Sequence, residues 1–179
     1  MAERKILVVG GGGREHTLAW KLANDSGNPR VHCAPGNAGT AQVARNLNIP
    51  ATDIEALVEW AFAERPHLTV VGPEAPLCEG IVDRFAAAGL RAFGPSRAAA
   101  QLEGSKAFAK EIMQAAGVPT AKAARFSDAG EAKAYLRKQG APVVVKADGL
   151  AAGKGVTVAA TVSEAEAAVD ASLVKGEFG

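Results

Sequence analysis

Two lysines, Lys146 and Lys154, flank a glycine-bearing turn in Val143-Val144-Val145-Lys146-Ala147-Asp148-Gly149-Leu150-Ala151-Ala152-Gly153-Lys154-Gly155-Val156-Thr157-Val158. Lysine is a compact charge suited to phosphate oxygens, and glycines let backbone N–H groups come close to an anion. The spacing is not that of a Walker A loop. Only three residues separate Gly149 from Gly153, and Gly155 follows Lys154 where that motif needs a Mg²⁺-binding Ser or Thr. The β-branched runs on both sides predict two strands, so the turn closes a hairpin and opens no helix. The chemistry on offer is a phosphate grip, and the alternative is a surface hairpin with two solvated lysines.

A second glycine cluster, Val8-Val9-Gly10-Gly11-Gly12-Gly13-Arg14-Glu15-His16, sits between a predicted strand and a predicted helix. It fits the dinucleotide fingerprint poorly: Glu15 or His16 falls where the third glycine belongs, and Cys33-Ala34-Pro35 stands where an acidic ribose ligand is expected. NAD and FAD are therefore disfavoured. A phosphate monoester at the helix N-terminus, with a bidentate contact from Arg14, suits the segment better. A tight turn with Arg14 in solvent is the competing reading. His16 could touch a ligand or simply pack, and His32 and His67 read as surface or core residues.

Alternating patterns must position these loops. Residues 5–9 read as a buried strand, 14–23 as a helix, 30–34 as a strand and 68–71 as another, with a helix to about 88 and a short strand at 91–93. Thr52 and Glu55 make a capping-box signature for a helix that buries Leu57, Val58 and Ala61 before Pro66. Strand and helix alternating over short connections predict an α/β fold with a Rossmann-like parallel sheet covered on both faces. In such sheets ligands lie beyond the carboxyl ends of the strands. Loops 10–13, 35–40 and 72–76 each follow a strand, so all three converge on one edge.

Past Gly94-Pro95 the pattern changes to a helix at 105–116, a break at Gly117-Val118-Pro119, a strand at 123–126, a helix at 128–139 and then the hairpin. Ser163 and Glu166 cap a last helix over 164–174. The expected organisation is a first domain over 1–118 and an α+β unit over 119–179. That second unit looks unfinished, because a two-strand hairpin with two helices is small to stand alone.

A chain of 179 residues with 48% apolar content can build a real core. Its net charge of +1, with acids and bases interspersed, offers no basic field for nucleic acid or anionic lipid. Cys33 and Cys78 belong to no metal-ligand spacing and read as buried or neutral thiols in a reducing compartment, with a disulfide between them the alternative. No apolar run approaches a membrane span, so a cytoplasmic setting is expected.

Taken in order, Gly10-Gly11-Gly12-Gly13-Arg14-Glu15-His16, Pro35-Gly36-Asn37-Ala38-Gly39-Thr40, Val71-Gly72-Pro73-Glu74-Ala75-Pro76-Leu77, Leu102-Glu103-Gly104-Ser105-Lys106 and the 146–155 turn closely resemble the phosphoribosylamine-glycine ligase family. These are the glycinamide ribonucleotide synthetases of purine biosynthesis, within the ATP-grasp superfamily. The resemblance implies a pre-ATP-grasp substrate domain over 1–118 and part of an ATP-grasp lid over 119–179. It implies a reaction in which ATP phosphorylates the glycine carboxylate and the amine of 5-phosphoribosylamine attacks the glycyl phosphate.

By position, the resemblance puts Lys106, Lys146, Gly149, Gly153, Lys154 and Gly155 on the ATP phosphates. It puts Gly11, Gly12, Gly13, Arg14, Asn37, Thr40 and Glu74 on the phosphoribosylamine, with Glu74 accepting from ribose hydroxyls. Glu103 and Asp148 read as caps or turn residues, and no residue is assigned as a general base. The family's Mg²⁺ or Mn²⁺ ligands are expected beyond position 179, so the stretch is expected to be an N-terminal part that does not ligate by itself. The partners implied are small molecules, with no nucleic acid and no membrane, and a monomer is compatible. Another ATP-grasp carboxylate–amine ligase, or a phosphosugar-binding module without catalysis, are the other readings.

Overall fold

A computed structural model describes residues 4–150 and 154–178. Gly153, expected on the ATP phosphates, lies outside the described residues. The chain divides into two compact units, Met1–Gln101 and Leu102–Gly179.

The first unit is a five-stranded parallel sheet in the order β3-β2-β1-β4-β5. Its strands are β1 (Lys5–Gly10), β2 (Arg30–Pro35), β3 (Arg45–Asn46), β4 (Leu68–Val71) and β5 (Ala92–Phe93). Helices α1 (Gly13–Ala23), α2 (Ile54–Glu64), α3 (Glu74–Glu79), α4 (Ile81–Ala87) and α5 (Arg97–Gly104) connect and follow them. Alternate residues of β1 serve opposite faces: Leu7 and Val9 join Leu57, Ala61, Ile81 and Phe85, whereas Val8 joins Ala19, Val31 and Cys33. Each fully buried Leu, Val, Ile or Phe among them contributes about 1.5–3 kcal/mol. This is the doubly covered parallel sheet that alternation predicts.

Several local details differ from the sequence expectation. The cap of α2 is Asp53, whose carboxylate accepts from the N–H of Ala56 at 3.1 Å, one residue after the predicted Thr52. A turn closed by the N–H of Asp53 on the carbonyl of Pro50 makes Asp53 the last residue before the helix. The single helix expected after β4 is two, because Gly80 turns left-handed at φ +97° and redirects the chain. Neither β3, of only two residues, nor the alanine-rich α5 announces itself by periodicity.

The second unit holds α6 (Lys106–Ala115), α7 (Ala129–Gln139), the antiparallel pair β6 (Val143–Lys146) and β7 (Val156–Ala159), and α8 (Val162–Val169), which runs into a π-helical turn over Asp170–Val174. Ala132, Leu136, Ala159, Ala165 and Val169 form its core. The cap of α8 is Thr161, not Ser163: its hydroxyl accepts from the N–H of Glu164 at 3.2 Å, and the Glu164 carboxylate accepts from the N–H of Ala160 at 2.8 Å. No strand forms over 123–126, where no partner strand offers a ladder; Phe126 packs on Tyr135 instead, ring centroids 5.1 Å apart.

The units divide at 101/102, upstream of the expected 118/119, because Ser105 and Lys106 at the start of α6 are bonded to Asp148 beyond β6. Among the described residues, no helix is long and apolar enough to cross a membrane.

Candidate functional site

Strand order decides which loops meet. Since β1 lies between β2 and β4, the segments after these three strands are neighbours at the carboxyl edge, where the order of the sheet reverses and ligands of α/β proteins sit. The turn after β1 holds Gly11 and Gly12, the loop after β2 holds Gly36 and Asn37 and runs into a 3-10 turn that starts at Thr40, and Gly72 follows β4 just before Glu74 opens α3. The expected substrate-side residues of the first unit are thus brought together.

Asn37 is the hub of the β2 loop. Its amide donates to the carbonyl of Gly11 at 2.8 Å, and its side-chain oxygen accepts from the N–H groups of Gly39 and Thr40 at 2.7 and 2.9 Å. The fully buried Thr40 accepts from the N–H of Asn37 at 2.7 Å, and its hydroxyl lies 2.7 Å from the side-chain oxygen of Asn46, to which it can donate. Asn37 and Thr40 therefore build the loop. Asn46, on the short β3, completes it by donating to the carbonyl of Asn37 at 2.8 Å. No sequence signal singles out Asn46. The β1 and β2 loops also touch closely: a Cβ on Gly11 would stand 2.6 Å from the carbonyl oxygen of Gly36.

Arg14 is engaged on every side. Its Nε donates to Glu15 Oε1 at 3.1 Å, Nη1 and Nη2 each donate to Glu74 Oε1 at 3.1 Å, and Nη2 donates to the carbonyl of Gly72 at 2.5 Å. The bonds to Glu15 and Glu74 raise the guanidinium pKa further. The Glu74 carboxyl is held below the usual range, first by its own backbone N–H and then by Arg14. Arg14 straps the β1 turn to the β4 turn and leaves one N–H for a ligand. At the start of α1, the N–H groups of Gly13 and Arg14 have no intrahelical carbonyl to meet and face an anion favourably. Gly12 differs, because its N–H donates to Glu15 Oε2 at 2.7 Å.

In the second unit, Asp148 Oδ1 accepts from the N–H of Lys106 at 2.6 Å, and the carboxylate also accepts from the Ser105 hydroxyl at 3.1 Å and the N–H of Gly149 at 3.1 Å. The N-cap residue of α6 is Ser105, whose hydroxyl accepts from the N–H of Phe108 at 3.2 Å, and Asp148 caps the same turn from outside while holding the hairpin turn. Burial opposes its charge, but these bonds outweigh that and hold its pKa below the usual Asp value. Lys106 Nζ donates to the carbonyl of Gly149 at 2.7 Å.

Lys146 and Lys154 are exposed, and among the described residues neither side chain has a hydrogen-bond or ion-pair partner. Gly149 turns at φ +93° with open space where a side chain would be. Pairing of Val144 with Val158 and of Lys146 with Val156 sets all four on one face of the hairpin, with the three valines exposed. An apolar shelf thus adjoins a free ammonium group.

Among the described residues, no group of three or more His, Cys, Asp or Glu could hold a metal ion. Both cysteines are free, and burial pushes the Cys33 thiol up to about 11. A surface depression of about 550 Å³, lined by Asn28, Arg30, Gln42 and Arg45 among others, includes none of the expected site residues.

Residues 4–103 match the family model described as phosphoribosylglycinamide synthetase, N domain, and residues 104–179 match its ATP-grasp (A) domain. A phosphoribosylamine–glycine ligase of Ralstonia nicotianae is 59% identical over 98% of this chain and 42% of its own length. The Escherichia coli K12 protein of the same name is 56% identical over 98% of this chain and 41% of its own. The chain thus spans about two fifths of the length of these relatives. The crystal structure of the Thermotoga maritima phosphoribosylamine–glycine ligase superposes with a TM-score of 0.76 at 31% identity, over 96% of this chain and 41% of that one. The N5-carboxyaminoimidazole ribonucleotide synthetase of Thermus thermophilus shares the fold, with a TM-score of 0.68 at 22% identity over 97% of this chain and 45% of that one.

Proposed function

This chain belongs to the phosphoribosylglycinamide synthetase family, and from that premise we propose that it is part of a ligase that joins glycine to 5-phosphoribosylamine at the expense of ATP. The observation that carries the reading is the match of both family domains in order, at 55–59% identity to curated phosphoribosylamine–glycine ligases. The products are glycinamide ribonucleotide, ADP and phosphate, formed through a glycyl phosphate.

In this reading the carboxyl edge of the first unit's sheet is the phosphosugar site. The N–H groups of Gly13 and Arg14 at the start of α1 take the phosphate monoester, and the free oxygen of Glu74 accepts from a ribose hydroxyl. Asn37 and Thr40 hold the loop that closes the site beside Gly11.

The second unit takes ATP. Lys146 and Lys154 meet phosphate oxygens by charge, the turn through Gly149 and Gly155 covers them, and the shelf of Val144, Val156 and Val158 receives the apolar face of the base. Lys106, bonded to the carbonyl of Gly149, fixes the foot of that turn. Covering the triphosphate also keeps water from an acyl phosphate that would otherwise hydrolyse. When bound, Mg²⁺ or Mn²⁺ would neutralise charge on the phosphates.

The test is product analysis with the full-length chain. Glycine-dependent ADP release, with glycinamide ribonucleotide formed only when 5-phosphoribosylamine is present, is expected. Equal turnover with other small carboxylates or other amines would point to a different ATP-grasp ligase. Residues 1–179 alone are expected to form no ADP; glycine-dependent ADP from them would refute that part.

A further inference from the structure

Glu15 is a carboxylate that the family reading leaves without a task, yet it is only 4% exposed and lies under the proposed phosphosugar loops. Its two oxygens are divided between two partners: Oε2 takes the N–H of Gly12 and Oε1 takes Nε of Arg14. A buried carboxylate is costly unless it is bonded in this way. Its methylenes fill the space where Gly10 and Gly72 carry no side chain; a Cβ on Gly10 would lie 2.6 Å from Glu15 Cγ, and one on Gly72 would also run into the Glu15 side chain. Gly10 ends β1 and Gly72 directly follows β4, the two strands at the reversal of sheet order.

We propose that Glu15 is a positioning residue for the phosphosugar site, holding the β1 turn through Gly12 and aiming the Arg14 fork at Glu74 and Gly72 without touching the substrate itself. By occupying the Gly12 N–H it directs an incoming phosphate to the N–H groups of Gly13 and Arg14. By fixing Nε of Arg14 it leaves the two terminal nitrogens to span to the β4 turn. Arg14 is thereby a strap more than a phosphate ligand. The inference rests on the reading of this edge as the phosphosugar site, and it adds the residue that spaces the two turns.

The experiment uses the full-length chain, with ribose 5-phosphate as a stable probe. Glu15→Gln keeps the volume but replaces one acceptor by an amide donor that neither Gly12 nor Arg14 can use. Its affinity for ribose 5-phosphate, by calorimetry, is expected to fall by about tenfold or more, as for loss of a charged hydrogen-bond partner. ATP affinity and the KM for glycine should stay at wild-type values. Gly72→Ala, which crowds the same side chain from the opposite turn, should give the same selective loss. Amide exchange in both variants should accelerate over 10–14 and 72–74 and not over 143–146 or 156–159.

Unchanged exchange in both turns, or unchanged probe affinity in both variants, overturns the proposal. An equal loss of ATP affinity, which a merely structural residue would cause, overturns it as well. If the variants show the exchange pattern and the selective loss of probe affinity while the wild-type chain binds the probe but does not ligate glycine, the proposed function is refuted and the role of Glu15 stands.

Discussion

Lys106 and Asp148 hold each other's segments twice: the carboxylate takes the backbone N–H of Lys106 at 2.6 Å, and the lysine ammonium reaches the carbonyl of Gly149, the next residue, at 2.7 Å. The foot of the glycine turn is therefore locked to the first turn of α6, while Lys146 and Lys154 stay free for a ligand.

Removing that lock should be measurable apart from chemistry. Asp148→Ala leaves the N–H groups of Lys106 and Gly149 without their charged acceptor, so the second unit should lose about 1–3 kcal/mol of stability in thermal or urea melts. Because the folded pKa of Asp148 lies below its unfolded value of 3.8, the contribution is present above that value and is lost as pH falls through the folded one. Asp148→Asn should flatten that acid limb. An identical limb in the variant would remove Asp148 as its source.

Lys146→Met in the full-length chain should weaken ATP use by about 10–100-fold, the worth of one charge-assisted phosphate contact, and leave ribose 5-phosphate binding intact. Normal ATP kinetics would sink the assignment of the hairpin to ATP.

Asn37→Ala strips the β2 loop of its bonds to Gly11, Gly39 and Thr40. Unfolding of the first unit should become easier by about 1–3 kcal/mol, and the KM for phosphoribosylamine should rise. Asn37→Asp keeps the acceptor but not the donor to Gly11, so an intermediate phenotype is expected. A variant indistinguishable from wild type would show that the loop needs no hub.

Alkylation offers a check on the core. Cys33 is fully buried and its pKa is pushed up to about 11, whereas Cys78 is only partly buried. Iodoacetamide at pH 8 should label Cys78 and spare Cys33 until the protein unfolds, as peptide mass spectrometry would report. Prompt labelling of Cys33 in the native protein would contradict the packing around it.

The β-branched runs, the glycines after each strand and the turn between two lysines determined, by themselves, the parallel sheet, the loops at its carboxyl edge and the hairpin, because period and turn chemistry are local properties. Cap positions slipped by one or two residues, to Asp53 and Thr161, since which residue leaves the helix depends on how the preceding turn closes. A strand at 123–126 did not form, because a strand exists only with a partner.

Tertiary structure alone decided that Arg14 spans to Glu74 and Gly72, that Glu15 lies buried beneath both turns, and that Asp148 caps a helix beginning more than forty residues earlier. The sequence names each of these residues. Their partners come from strand order and chain crossing, which bring distant segments within hydrogen-bond reach and which no local pattern encodes.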